Sequence, residues 1–314
     1  MRLVFAGTPA TAVPSLDLLL QSDRHEVAAV VTRPDRPAGR GRTLTPSPVK
    51  QRANDAGIEV LTPERAADHD FLDRLHVIAP DCCPVVAYGA LLKPDTLAVP
   101  PRGWVNLHFS LLPQWRGAAP VQHALLAGDD VTGASTFLIE EGLDTGPVFG
   151  MFTTTIGSRE TTGDLLGRLA VDGAGLLLAT LDGIEDGTVS AQPQATDGVS
   201  YAPKLSVDDA RVDWSTPALR IDRLVRACTP DPGAWTTFRD RRVKLGPVQP
   251  LDDDAGLALD AEPGTIVVTG ADDVVVATGS TWVRLDDVRP EGKPVMPAAA
   301  WLRGVRLTSG DAFK

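Results

Sequence analysis

Apolar and polar positions change their repeat several times along this chain. Residues 2–6 are a short apolar run closed by a Gly7-Thr8-Pro9 turn, and the next stretch sets Val13, Leu16, Leu19 and Leu20 on one side of a helix. Residues 26–32 read as a strand rich in β-branched side chains, and further strands are predicted at 58–61, 84–88, 105–109 and 135–139. A helix is expected to reach about Leu75, and a long one to cover 162–182 and stop at Gly183. Strands alternating with helices predict an α/β fold, a Rossmann-like sheet with helices on both faces.

Near residue 184 the periodicity stops. Residues 185–207, rich in Gly, Pro, Ser, Thr, Gln and Asp, are expected to link a catalytic domain over 1–184 to a second domain over 208–314. There Leu219, Leu224 and Val225 mark a helix. Short strands at 236–238, 243–245, 265–269, 274–278 and 282–285, separated by turn residues, predict a C-terminal OB-like β-barrel.

Charge changes this picture. The chain of 314 residues has a net charge of −11, which argues against indiscriminate nucleic-acid binding. Yet residues 33–52 alone carry a net +5, and residues 204–250 a net +3. Cations concentrated in two segments of an acidic chain suit selective contact with phosphates. A solvated loop is the plainer explanation of the first segment. The longest apolar stretches, such as 176–181, fall far short of the roughly 20 residues a bilayer span needs. The first residues enter a strand with no basic-then-apolar leader, so a cytoplasmic location is expected. Cys82, Cys83 and Cys228 match no zinc spacing and read as small buried hydrophobes, so no metal is expected.

Candidate chemistry centres on residues 104–120, WVNLHFSLLPQWRGAAP. Side chains alternate faces along a strand, so Asn106 and His108 point one way and Val105, Leu107 and Phe109 the other. Two polar groups at the end of a buried strand require partners or a ligand. Spacing alone leaves open a satisfied core histidine beside a turn-capping Asn. Gly142 and Gly146 bracket Asp144, so the backbone can bend closely around that carboxylate, although a turn aspartate bonded to its own backbone reads the same way. Together the three suit acyl transfer: an amide for an oxyanion, an imidazole for a proton, a carboxylate to charge the imidazole. Neither G-x-S-x-G nor a reactive-Cys context is present, which favours direct transfer over a covalent intermediate. A dinucleotide-dependent oxidoreductase is disfavoured, because Phe5-Ala-Gly-Thr-Pro9 is no G-x-G-x-x-G.

Asn106-Leu-His-Phe-Ser-Leu-Leu-Pro113, Trp115-Arg-Gly-Ala-Ala-Pro120 and Gly142-Leu-Asp-Thr-Gly146 resemble the signature of the folate-dependent formyltransferases. The likeness extends from Phe5–Pro9 through Pro34–Gly41, Pro46–Lys50 and Val86–Gly89 to Asp213-Trp214 and Pro232–Trp235, essentially the whole chain. The basic segment and second domain are similar to those of members that act on initiator tRNA. The resemblance implies a catalytic trio of Asn106, His108 and Asp144. It implies a folate site lined by Ser110, Leu111, Leu112 and Pro113, with Tyr88, Gly89 and Leu91 closing the pterin side. Residues 33–50 would be a mobile loop meeting the tRNA acceptor end through Arg36, Arg40, Arg42 and Lys50. The donor would be 10-formyltetrahydrofolate, the acceptor the α-amino group of initiator methionyl-tRNA, and the working form a monomer. Asn106 and a protonated His108 would hold the oxyanion. The alternative acceptor is another amine, such as an amino-sugar nucleotide. Phe109 and Gln114 depart from the family pattern, which usually has a small and a basic residue there.

Overall fold

Nine strands in the first two-thirds of the chain form one large sheet and one short pair. They are β1 (Arg2–Gly7), β2 (Glu26–Val31), β3 (Arg36–Ala38), β4 (Thr43–Thr45), β5 (Glu59–Leu61), β6 (Cys83–Val86), β7 (Trp104–His108), β8 (Val131–Leu138) and β9 (Val148–Thr155). The large sheet has the order β5-β2-β1-β6-β7-β8-β9, while β3 and β4 pair only with each other. This computed structural model describes residues 1–38, 43–252, 257–258, 260–269, 272–308 and 311–314. β5, β2, β1, β6 and β7 run parallel, and β8 and β9 add antiparallel. Leu3, Val4, Phe5 and Ala6 of β1 are all fully buried, as a parallel strand covered on both faces requires. Strand order reverses at β1, with β2 on one side and β6 on the other, which opens a crevice beyond their carboxyl ends.

Three expectations change here. The sheet has a further edge strand, β9, whose Thr-rich alternation of exposed and half-buried positions lacks the apolar run of a central strand. The long helix runs over Thr162–Asp186, straight through Gly183. A Cβ at Gly183 would lie 2.6 Å from Cγ1 of Val189, so that glycine permits close packing, and Gly187, at φ +68°, follows the helix end. The basic segment is not wholly irregular. Arg36 pairs with Thr45 in the β3–β4 ladder, and Pro48 opens a helix, Pro48–Asp55, capped by the Ser47 hydroxyl, which accepts from Lys50 N at 3.0 Å.

By its contacts the chain divides into two units that are not consecutive stretches. Met1–Pro120, Val131–Thr155 and Leu166–Tyr201 make the first, and Val121–Asp130, Ile156–Leu165 and Ala202–Lys314 the second. The second unit contains β10 (Trp235–Phe238), β11 (Arg241–Leu245), β12 (Val248–Pro250), β13 (Ile266–Thr269), β14 (Asp273–Ala277), β15 (Trp282–Leu285), β16 (Asp287–Pro290) and β17 (Met296–Pro297). These form antiparallel sheets of order β10-β11-β16-β17 and β12-β15-β14-β13. β11 leads to β12, and β15 to β16, across only one or two residues, so the chain turns from one sheet into the other, as in an OB-like barrel. Val243, Leu245, Val276, Val283 and Val288 from both sheets share one core with Phe238, Trp301 and Phe313. Strands β12, β16 and β17 and the helix Ala298–Val305 were not anticipated. Among the described residues no helix is long and apolar enough to cross a membrane.

Candidate active site

The alternation expected of β7 places its chemistry. Trp104 is fully buried among Phe71, Leu75 and Tyr88, and its indole donates to the Thr96 carbonyl at 2.9 Å. Asn106 and His108 share that face by the period of two. Leu107 faces the other way, against Gly173 of the long helix, where a Cβ would meet its Cδ2 at 3.0 Å. Asn106 is held in register between Val85 of β6 and Phe137 of β8, and His108 opposite Ser135. The half-buried Asn106 side chain has no hydrogen-bond partner among the described residues. Its amide is therefore available to a ligand.

His108 is 6% exposed, with the Phe137 ring edge-on at 6.3 Å. Nε2 lies 2.9 Å from the Trp115 carbonyl, and Nδ1 lies 3.8 Å from Asp144 Oδ2. A carbonyl can only accept, so Nε2 carries the hydrogen and the neutral ring presents a free lone pair at Nδ1. Burial pushes the imidazole pKa below its ordinary value, while the Asp144 carboxylate and the Trp115 carbonyl pull it upward. Burial wins, so the resting ring is neutral. From the sequence a protonated His108 is expected to hold the oxyanion; burial of the ring, which residue spacing does not show, favours the neutral form instead.

Asp144 adopts φ +51°, so the left-handed residue of its loop is the aspartate itself and not a flanking glycine. Gly146 is needed for a different reason: a Cβ there would sit 1.7 Å from the Leu138 carbonyl oxygen. Asp144 Oδ2 accepts from Gly117 N at 2.7 Å, which joins its loop to the turn carrying Trp115. The Ser110–Pro113 turn is pinned by Ser135, whose hydroxyl donates to the Ser110 carbonyl at 2.7 Å and accepts from Leu112 N at 3.1 Å. Ser110 Oγ in turn donates to the Gln114 carbonyl at 2.6 Å. Ser135 escaped sequence reasoning because a serine inside a strand carries no distinguishing signal. Phe109 is buried.

The remaining candidates spread over a wider area. Tyr88 and Gly89 line a cavity of about 340 Å³ beyond the ends of β1, β2 and β6, together with Thr8, Arg33, Arg36 and Ser47. Tyr88 is 2% exposed and Gly89 adopts φ +79°, whereas Leu91 is 79% exposed and does not line the cavity. Arg36 is exposed and in no ion pair among the described residues, while Lys50 Nζ is 2.8 Å from Asp35 Oδ1. Arg40 and Arg42 lie outside the described residues. The cysteines are poor nucleophiles: burial pushes the Cys82 thiol up to about 12, Cys228 up to about 11 and Cys83 well above its ordinary range.

A switch-point α/β sheet with an amide on β7 that has no partner among the described residues, a neutral imidazole two residues on, and a loop carboxylate facing that imidazole suits a group-transfer enzyme. Residues 1–181 match the formyl transferase family and residues 204–306 its C-terminal domain. The chain belongs to the formyl transferase family. It is 64% identical over 311 residues to the methionyl-tRNA formyltransferase of Streptomyces coelicolor, covering 99% of each chain. It is also 64% identical over 313 residues to that of Thermobifida fusca, covering 100% of this chain and 99% of the relative. Among solved structures it resembles the methionyl-tRNA formyltransferase of Clostridium thermocellum (TM-score 0.56, 13% identity), covering 88% of this chain and 99% of the other. It also resembles the N-formyltransferase of Helicobacter canadensis solved with folinic acid and dTDP-3-aminofucose (TM-score 0.64, 17% identity), covering 90% and 98%. At those identities the structures speak for the fold alone.

Proposed function

We propose that this chain transfers the formyl group of 10-formyltetrahydrofolate to the α-amino group of initiator methionyl-tRNA, as a cytoplasmic monomer. The observation that carries the reading is the Asn106 amide, without a partner among the described residues, beside His108, whose open Nδ1 faces Asp144. The neutral amine attacks the formyl carbon, forming the new C–N bond. Asn106 donates to the carbonyl oxygen as it gains charge. His108 Nδ1 takes the amine proton, and Asp144 stabilises the imidazolium so formed. As the bond to the folate nitrogen breaks, His108 returns that proton to it, leaving N-formylmethionyl-tRNA and tetrahydrofolate. Ser110–Pro113, Tyr88, Gly89 and Leu91 are proposed to hold the folate.

The tRNA would be held by cations of the basic segment, Arg36, Arg40, Arg42 and Lys50, and by the C-terminal domain. Two full-length relatives at 64% identity named methionyl-tRNA formyltransferase support this acceptor over an amino-sugar nucleotide. Incubation with 10-formyltetrahydrofolate and charged initiator tRNA should add the mass of one formyl group to the aminoacyl end. Transfer to an amino-sugar nucleotide, with none to the tRNA, would overturn the assignment.

A further inference from the structure

The stretch 185–207, which the sequence presents as a linker, supplies side chains to the site. Gln192 forms a β-bridge with Val148, and Tyr201 with Arg116. Ser200 Oγ accepts from Trp115 N at 2.9 Å, and the Ser200 carbonyl from Arg116 N at 2.9 Å. Between these anchors lies Gln194. Its Nε2 donates to the carbonyls of Asp144 and Gly146, both at 2.8 Å. Its Oε1 accepts from Arg116 Nε at 3.1 Å and Nη2 at 2.7 Å. The amide orientation follows from its neighbours, because guanidinium groups only donate and backbone carbonyls only accept.

We infer that Gln194, oriented by Arg116, is the positioning residue that holds the Asp144 loop against His108. The inference rests on the formyl-transfer mechanism above. Asp144 stands in a backbone conformation that costs a non-glycine residue energy, and such conformations persist only where the surroundings over-determine them. Three contacts do so here: Gly117 N on the carboxylate, and the two bonds from Gln194 on the backbone either side of Thr145. The Gly117 bond fixes the carboxylate but leaves the loop backbone free. Gln194 fixes that backbone, and Arg116 ties the same amide to the turn whose Trp115 carbonyl receives His108 Nε2. One side chain thus couples the two loops that set the distance from imidazole to carboxylate. It has no direct contact with His108, and both bonds it donates end on the Asp144 loop, so the proposed route of its effect is through Asp144.

That route gives the test. Gln194→Ala removes both bonds, and Gln194→Glu keeps the shape and the acceptor toward Arg116 while replacing the donor with an oxygen. Both folded variants should lose about 10- to 100-fold in kcat, with the KM for 10-formyltetrahydrofolate unchanged and the acid limb of the kcat–pH profile moved the same way as in Asp144→Asn. The double variant Gln194→Ala/Asp144→Asn should be no slower than Asp144→Asn alone, since residues acting through one another are not additive. Parent-like kcat in either Gln194 variant, or losses that multiply in the double variant, would overturn the inference while leaving the mechanism intact. Parent-like kcat in Asp144→Asn would sink the mechanism and this inference with it.

Discussion

Replacing Asn106 by alanine isolates one contribution to catalysis with little structural interference. The backbone at this position is fixed from both sides, by Val85 of β6 and Phe137 of β8, and neither ladder involves the side chain. The amide has no partner to leave stranded among the described residues, so none of the usual routes to a large stability loss applies. Melting should shift by an amount equivalent to less than about 1 kcal/mol. Its loss should instead fall on the reacting carbonyl oxygen. Removing one donor of this kind from a water-poor site costs about 10²–10³ in turnover, or about 2.7–4 kcal/mol of barrier. Since the oxygen gains its charge only as the amine attacks, the loss should appear in kcat, with folate affinity nearly constant. Single-turnover formylation of initiator methionyl-tRNA by Asn106→Ala, alongside equilibrium binding of the folate, measures both. Turnover within a few-fold of the parent would refute the role. A matched loss in folate binding would show that Asn106 serves the ground state instead.

Three further outcomes follow from the geometry. With both substrates saturating, kcat should rise with pH in two steps: a lower one with its inflection below the ordinary histidine value of about 6.5, because the reactive form is the neutral ring and burial lowers its pKa, and an upper one at about 7.7–8.0 as the acceptor α-amine loses its proton. Asp144→Asn removes an influence that raises the His108 pKa and should move the lower inflection lower still; a lower inflection that stays in place in this variant would contradict His108 as its source. Gly146→Ala forces a Cβ onto the Leu138 carbonyl oxygen, so the loop must shift; stability should fall by about 1–3 kcal/mol and kcat by about 10²-fold, and parent-like kcat would show that the loop tolerates displacement. Arg40→Ala should weaken productive tRNA use without altering folate affinity, and reduce the log–log salt slope by about one; equal slopes would exclude a phosphate contact there.

What could be read from the sequence depended on whether a residue's role was local. The period of two along Trp104–His108 is a property of the strand itself, so the shared face of Asn106 and His108 followed from spacing. The strands β1, β2 and β6 were equally legible because continuous burial leaves continuous apolar runs. β9 was not, since an edge strand faces water on one side and carries Gly150 and three threonines. The strands β12 and β16 read as loops because each ends in Pro and polar or charged residues, Gln249, Asp287 and Arg289, fill their exposed positions. Gly183 looked like a helix terminator because its tight neighbour, Val189, lies beyond the helix in the chain. Gln194 and Ser135 are the strongest cases. Their significance consists entirely of partners 48, 50 and 78 residues away for Gln194 and 23 and 25 residues away for Ser135, and nothing in their immediate surroundings marks them.

The same distinction between local count and spatial commitment narrows the cationic surface of the second unit. The net +3 over residues 204–250 treats every Arg and Lys alike. Arg226 is buried against Asp222 at 2.8 Å and reaches the Glu160 carbonyl, so its charge is already compensated. Arg239 is bonded to Asp311, Arg223 to the Ala127 carbonyl, and Lys244 to the Pro232 carbonyl at 2.6 Å. These cations hold the fold. Arg242 lies over the Trp235 ring at 3.9 Å, and Arg211 approaches the same ring at 5.6 Å. Both are exposed, as are Arg220 and Arg241, and none of the four forms an ion pair among the described residues. Stacking on an indole limits the motion of a guanidinium without neutralising it, which lowers the entropy lost when a phosphate binds. An acidic chain can therefore engage a polyanion through a few pre-ordered cations while its remaining charge repels it, and such contact favours a partner whose shape fits those few points.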